Sequence, residues 1–302
     1  MVNLLIFALV GAGAQLVGGV LGMAFGVTAT TLLMLSGVGP AHASATVHLA
    51  EIGTSLASGI AHWRFRTIDC GLVLKLGVPG AIGAFLGAGA LSRLSTESAI
   101  PVTSTALIAV GIYVLLKSSL RPAEARTPSG SSHSVALLTP LGLFGGLLDA
   151  TGGGGWGPVA TSTLLSCGKV DPRTVVGSVN TSKFLVAVSA SAGFMLNQGR
   201  GFWNNLPVAI GLSVGGVIAA PIAAWLVSRV STVTLGTVAG GVIIATNAQK
   251  LFAVYCVPAA IAGFAYALIV CVSAALLSVA WRRSRPRVAV PERARDVEVL
   301  HK

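Results

Sequence analysis

Nine apolar runs of similar length leave this chain few folds to choose from: Val2–Leu21, Ala43–His62, Cys70–Leu91, Ser98–Leu116, Val135–Ala150, Thr174–Met195, Leu206–Val227, Val233–Ala248 and Val257–Ala280. Most approach the ~20 residues a helix needs to cross the hydrocarbon core of a bilayer. They lack the alternation of barrel strands, and in lipid only a helix or a closed barrel satisfies its own backbone. Composition agrees: 54% of the residues are hydrophobic and 10% charged, with a mean hydropathy of +0.84, against roughly 25% charged in a soluble domain. The sequence predicts an all-α polytopic integral membrane protein. Met-Val-Asn supplies no basic region ahead of the first run, which is therefore expected to stay in the mature chain rather than be cleaved as a signal.

One stretch is written twice. Gly22 to Glu51 reads GMAFGVTATTLLMLSGVGPAHASATVHLAE, and Gly153 to Lys183 reads GGGWGPVATSTLLSCGKVDPRTVVGSVNTSK. Phe25-Gly26 falls on Trp156-Gly157, Thr46-Val47-His48 on Ser178-Val179-Asn180, and Glu51 on Lys183. The expected organisation is a first transmembrane repeat over 1–116, a polar linker over 117–134, a second repeat over 135–252, an additional helix over 253–280 and a basic cytoplasmic tail over 281–302.

The net charge of +11 is unevenly spread, with seven basic residues in the tail. Positive-inside orientation explains this better than nucleic-acid binding does. Phe25–Ser36 and Trp156–Cys167 are too short to span comfortably. If both cross, fifteen loop and tail cations fall on the cytoplasmic side and only Arg93 and Arg200 outside; if neither does, the split is eleven against six. The bias favours an odd number of crossings per repeat, hence inverted copies.

Both copies break at corresponding places: Gly18-Gly19, Gly22 and Gly26 in the first, Gly145-Gly146 and Gly152 to Gly155, Gly157 and Pro158 in the second. Paired interruptions point to a binding site, and a half-helix starting at a break offers free N–H groups and a positive dipole end to an oxyanion. Gly26, Thr28, Thr30, Gly153, Gly154, Gly155, Trp156, Thr161, Asn180 and Lys183 are the candidate substrate-binding residues. His48 and Glu51 share a helix face at i and i+3, as do Asn180 and Lys183. Ionisable groups within membrane runs are functional candidates, and Glu51 and Lys183, at matched positions, are candidate partners. His48, Glu51 and Asp149 are the candidates for coupling or proton relay. Lys75 and Lys250 sit nearer helix ends and read as snorkelling side chains.

Other chemistries find no support. The GGGGWG run lacks the Gly-Lys-Ser/Thr ending of a nucleotide loop, and no G-x-S-x-G, no H-E-x-x-H and no second histidine spaced to pair with His48 is present. The four cysteines are scattered without C-x-x-C spacing. Neither cofactor nor metal site is expected, and no enzyme activity.

The segments 22–33 (GMAFGVTATTLL), 43–51 (ASATVHLAE), 149–158 (DATGGGGWGP) and 177–180 (GSVN) also carry a resemblance. Together they resemble the TauE/SafE sulfite exporter family, also called toluene sulfonate uptake permeases, over roughly residues 5–252. The resemblance implies a multi-pass permease of a prokaryotic cytoplasmic membrane, built from two related halves, that moves sulfur oxyanions or organosulfonates. The family pattern often has a carboxylate where this chain has Lys183, which counts against any coupling scheme that needs paired carboxylates. The expectation is a secondary transporter whose partners are a small anion, a coupling ion such as a proton, and the bilayer. An uncoupled anion channel and, more remotely, an intramembrane enzyme are the alternatives.

Overall fold

The computed structural model describes residues 2–21, 25–120, 134–167, 170, 172–227 and 232–284. Gly22, most of the polar linker, Lys169, Arg229 and the tail beyond Ser284 lie outside the described residues. Among the described residues there is no strand. The elements are α1 (Val2–Leu21), α2 (Phe25–Leu35), α3 (Pro40–Arg64), α4 (Cys70–Arg93), α5 (Thr96–Leu120), α6 (Val135–Gly152), a π-helical turn (Gly157–Thr161) continuing into α7 (Ser162–Cys167), α8 (Pro172–Gln198), α9 (Arg200–Trp203), α10 (Leu206–Val227), α11 (Thr232–Val254) and α12 (Ala259–Ser284). Among the described residues, six helical segments are long and apolar enough to cross a membrane: 70–93, 97–116, 135–152, 174–198, 200–219 and 259–279. The protein is a multi-pass membrane protein.

Small residues decide which helices touch, because lipid gives apolar faces no reason to leave it and close packing does. On α4, Gly77, Gly80, Gly83 and Gly87 form a stripe at helical spacing. Through it α6 comes so near that a methyl on Gly142 would stand 2.6 Å from the Leu76 carbonyl oxygen, and one on Gly87 2.9 Å from that of Leu147. The same stripe meets α8, where Ser189 Oγ donates to the Ala81 carbonyl at 2.7 Å. At its own start α4 is capped by Asp69, whose side chain accepts from the Leu72 N–H at 3.1 Å.

The pairings repeat when the halves are exchanged. The first helix of one half packs on the fourth of the other, as α1 on α10 and α6 on α4, while α3 pairs with α8 and α5 with α11. Along α4 and α6, residues 83 and 87 meet 143 and 147, so these two run parallel. By contrast α3 and α8 are antiparallel: Ala41 meets Gln198, Gly59 meets Thr181 and His62 meets Gly177. Helices α5 and α11 are likewise antiparallel, with Leu115 against Gly240 and Gly111 against Ile244.

These directions fix where the interrupted segments go. Both α6 and α8 run parallel to α4, Gly77 of α4 lying against Ser182 of α8 and Gly193 of α8 against Ala88. The starts of α6 and α8 therefore lie at one end of the bundle, and the chain from 135 to 172 leaves that end and returns to it. In the other half, α1 runs parallel to α10 (Gly11 on Leu212, Gln15 on Gly216), whose start adjoins the start of α3 through the Gln198–Asn205 contact. The chain from 2 to 40 returns to the opposite end. Helix α12 packs on α11 and α5 alone among the larger contacts, with none of its span buried.

Candidate functional site

Where the second hairpin turns, Gly153 closes α6 in the left-handed region (φ 71°), its N–H bonded to the Asp149 carbonyl at 2.5 Å. A side chain there is excluded twice, by that dihedral and by Thr30 Oγ1 of α2, which occupies the space a Cβ needs. Gly154 is equally constrained, its missing Cβ being replaced by the backbone of Gly26 and Val27. A Cβ on Gly26 would in turn meet the Gly153 carbonyl and stand 2.6 Å from Glu51 Oε1. The two glycine breaks, 127 residues apart (153 − 26), thus cross backbone against backbone. From this crossing α2 and the π-helical turn begin, and each presents its N-terminal, positive end to the centre.

Carboxylates already sit at both starts. Asp149 Oδ1 accepts the Trp156 backbone N–H at 2.8 Å, capping the second half-helix. Glu51 reaches toward the first from α3, and its Oε1 is 2.6 Å from Lys183 Nζ of α8. Glu51 is buried and the Lys183 side chain retains 15% exposure, so the pair is largely shielded from solvent. His48 is fully buried, stacked on Phe194 of α8 at a centroid distance of 6.2 Å. Its Nε2 lies 3.1 Å from the Asp149 carbonyl oxygen. Its Nδ1 lies 3.4 Å from Glu51 Oε2 and 3.9 Å from Asp149 Oδ2. These three ligand atoms are all within 4.8 Å of one another, near enough to share one small cation.

The remaining sequence candidates divide by location. The hydroxyls of Thr28 and Thr30 on α2 are buried with no hydrogen-bond partner among the described residues. Thr161 is buried in the π-helical turn, and Asn180 is half-buried on α8 one turn before Lys183. Gly155 stands behind the crossing, against Leu148 and the Asp149 N–H. Trp156 is fully buried, its indole N–H donating to the Val179 carbonyl at 3.2 Å and its ring filling the space left by Gly80. Lys75 is exposed on α4.

Lys250 does something other than snorkel. Its Nζ donates to the Met34 carbonyl at 2.5 Å, which also accepts from the Gly37 N–H at 3.2 Å, and so places a cation at the negative, C-terminal end of α2. One turn earlier, Asn247 is fully buried and donates to Thr31 Oγ1 at 3.2 Å. Helix α11 therefore holds α2 at two points. The i, i+3 spacing of Asn247 and Lys250 within an apolar run was the available signal, and sequence reading passed over it. The approach of Asp149 to His48, 101 residues away, has no sequence signal.

Comparison with known proteins places this architecture. Residues 7–250 match the family model described as Sulfite exporter TauE/SafE. The chain is 48% identical over 255 residues, 83% of each chain, to the "Probable membrane transporter protein YtnM" of Bacillus subtilis (strain 168). No solved structure matches significantly.

Proposed function

The chain belongs to the TauE/SafE sulfite exporter family and is a membrane transporter; from that premise we propose that it carries a small oxyanion, sulfite or an organosulfonate, past the crossing of its two glycine breaks. The observation that carries this reading is that the two glycine breaks cross beside the Lys183–Glu51 pair, with Glu51 Oε1 against Gly26 at the start of the first half-helix. Backbone donors, dipole ends and an ammonium group at one buried point suit an anion, and the Glu51 carboxylate holds the position its oxygens would take. Substrate then enters by displacing Glu51 from Lys183. The Thr30 hydroxyl, buried without a partner among the described residues, supplies a further donor beside Gly153, and Thr28 offers a second unpartnered hydroxyl on α2. Gly26, Gly154 and Gly155 let backbone approach backbone, while Thr161 and Asn180 border the second half-helix and the lysine face. Trp156 fixes the turn.

We propose further that residues 1–116 and 135–252 are inverted copies. Antiparallel packing of α3 on α8 and of α5 on α11 supports this, since equivalent helices of a parallel repeat run the same way.

The test is flux of labelled sulfite, thiosulfate, sulfoacetate, sulfate and acetate into proteoliposomes of the purified protein. Uptake of sulfite or sulfoacetate that unlabelled sulfonates compete away is expected. Movement of acetate alone, or of none of the panel, sinks the substrate reading.

A further inference from the structure

The tautomer of His48 can be read from its surroundings. A carbonyl oxygen only accepts, so Nε2, 3.1 Å from the Asp149 carbonyl, carries a hydrogen. In the neutral ring Nδ1 is then a lone pair. It points at Glu51 Oε2 and Asp149 Oδ2, which are acceptors too. None of the three has a hydrogen-bond partner among the described residues, and all belong to side chains no more than 2% exposed. Three converging acceptors without a donor repel one another in a medium that screens poorly. Lys183 does not resolve this, because its ammonium is on the other oxygen of Glu51.

Charge counting gives the same answer. Among the described residues, the charged and titratable groups acting on His48 are Glu51 from its own α3, Asp149 from α6 and Lys183 from α8, while Ser213 of α10 bonds the Ala50 carbonyl. Two carboxylates and one ammonium leave a net charge of −1, which a single positive charge between the acceptors cancels. A monovalent charge fits and a divalent ion overshoots. An imidazole nitrogen among the acceptors suits a proton better than a hard alkali cation, whose ligands are oxygens.

We propose that His48, Glu51 and Asp149 form a proton site that loads together with the transported anion. This rests on the reading of Lys183 as the anion's partner. When an anion takes Lys183, Glu51 loses its cation, and a proton from water, accepted by Glu51 or Asp149 in addition to the one on His48 Nδ1, restores neutrality to the loaded carrier. Release of the anion returns Glu51 to Lys183 and expels that proton. No redox step or co-reactant is involved.

Two measurements decide it. The first needs no substrate: ¹⁵N-histidine spectra of the detergent-solubilised protein, with the His48 signals assigned by their loss in His48→Gln. Expected are protonated Nε2 and Nδ1 at neutral pH, and loss of the Nδ1 proton at lower pH in Asp149→Asn and in the charge-neutral double variant Glu51→Gln/Lys183→Gln, which removes the stranded-charge problem of a single change. A His48 that stays neutral from pH 5 to 9 overturns the proposal, as does one metal ion per chain by elemental analysis. In the second, proteoliposomes containing a pH-sensitive dye receive a gradient of methanesulfonate or isethionate, monoanions whose sulfonates stay ionised throughout. Inward anion flux should acidify the lumen by about one proton per anion, grow as the outside pH falls, and lose both properties in His48→Gln. Anion flux without acidification overturns the linkage. If no anion moves, the transport reading fails while the spectra still decide whether the site holds a proton.

Discussion

At the scale of single residues, the site is defined by what a substitution would strand. Lys183→Ala leaves the Glu51 carboxylate buried without its cation, and breaking a buried pair in this way costs about 3–5 kcal/mol. The single variant should unfold at markedly lower temperature in detergent, while Lys183→Ala/Glu51→Ala recovers much of the loss and stays inactive. A single variant that melts and transports as the parent does removes Lys183 from the mechanism. Gly153→Ala meets two obstacles, the left-handed dihedral, about 1–2 kcal/mol for an L-residue, and Thr30 Oγ1. Flux should be lost in Gly153→Ala and Gly154→Ala but kept in Gly53→Ala, where a Cβ meets nothing within 4 Å; equal loss at all three means these glycines serve general packing. Much of this was legible beforehand, because a charge inside an apolar run is conspicuous and because the repeat aligned Glu51 with Lys183. The relation of His48 to the backbone of Asp149 was not, since it depends on how α6 ends.

Among the elements, α2 is the piece whose placement matters and whose own resources are least. Eleven residues make a marginal helix. Its start lies against the other half, and its end is held by Asn247 and Lys250 of α11. Asn247→Ala and Lys250→Ala should each destabilise by about 1–3 kcal/mol and reduce transport, because α2 drifts from the crossing; melting curves and saturating flux measured together check this, and unchanged flux in both would mean α11 does not position α2. The position of each long helix was readable from its apolar run, and the observed boundaries differ by a few residues: α11 spans Thr232–Val254 where the apolar run covers Val233–Ala248. Partner choice was not readable, since it depends on glycine stripes that look alike on α4, α6 and α10 until their backbones are brought together.

At the scale of the whole molecule, the distribution of charge admits more than the two cases in which the short pieces cross or do not. A third arrangement exists, in which each short piece returns together with the long helix before it. Each half then crosses three times, an odd number, and the fifteen-to-two distribution of cations is unchanged. Single cysteines in a cysteine-free background should therefore be labelled from outside by an impermeant thiol reagent near Arg200 and at residue 2. Positions near Arg64–Arg66 and within 121–133 should react only after the membrane is opened. Labelling of 121–133 in intact cells would exclude the inverted arrangement.

The contact between Glu51 and Lys183 also constrains the ancestry of such a chain. In the inverted arrangement proposed above, residues at matched positions that touch each other lie on the two-fold relating the halves, so two separate copies of either half would set carboxylate against carboxylate or ammonium against ammonium at 2.6 Å. An unlike pair can arise there only once the two copies are encoded separately, as two genes or as two halves of one polypeptide, and mutate independently. From then on neither half can be regenerated by doubling the other, and reversion at one member alone restores like charges at the contact.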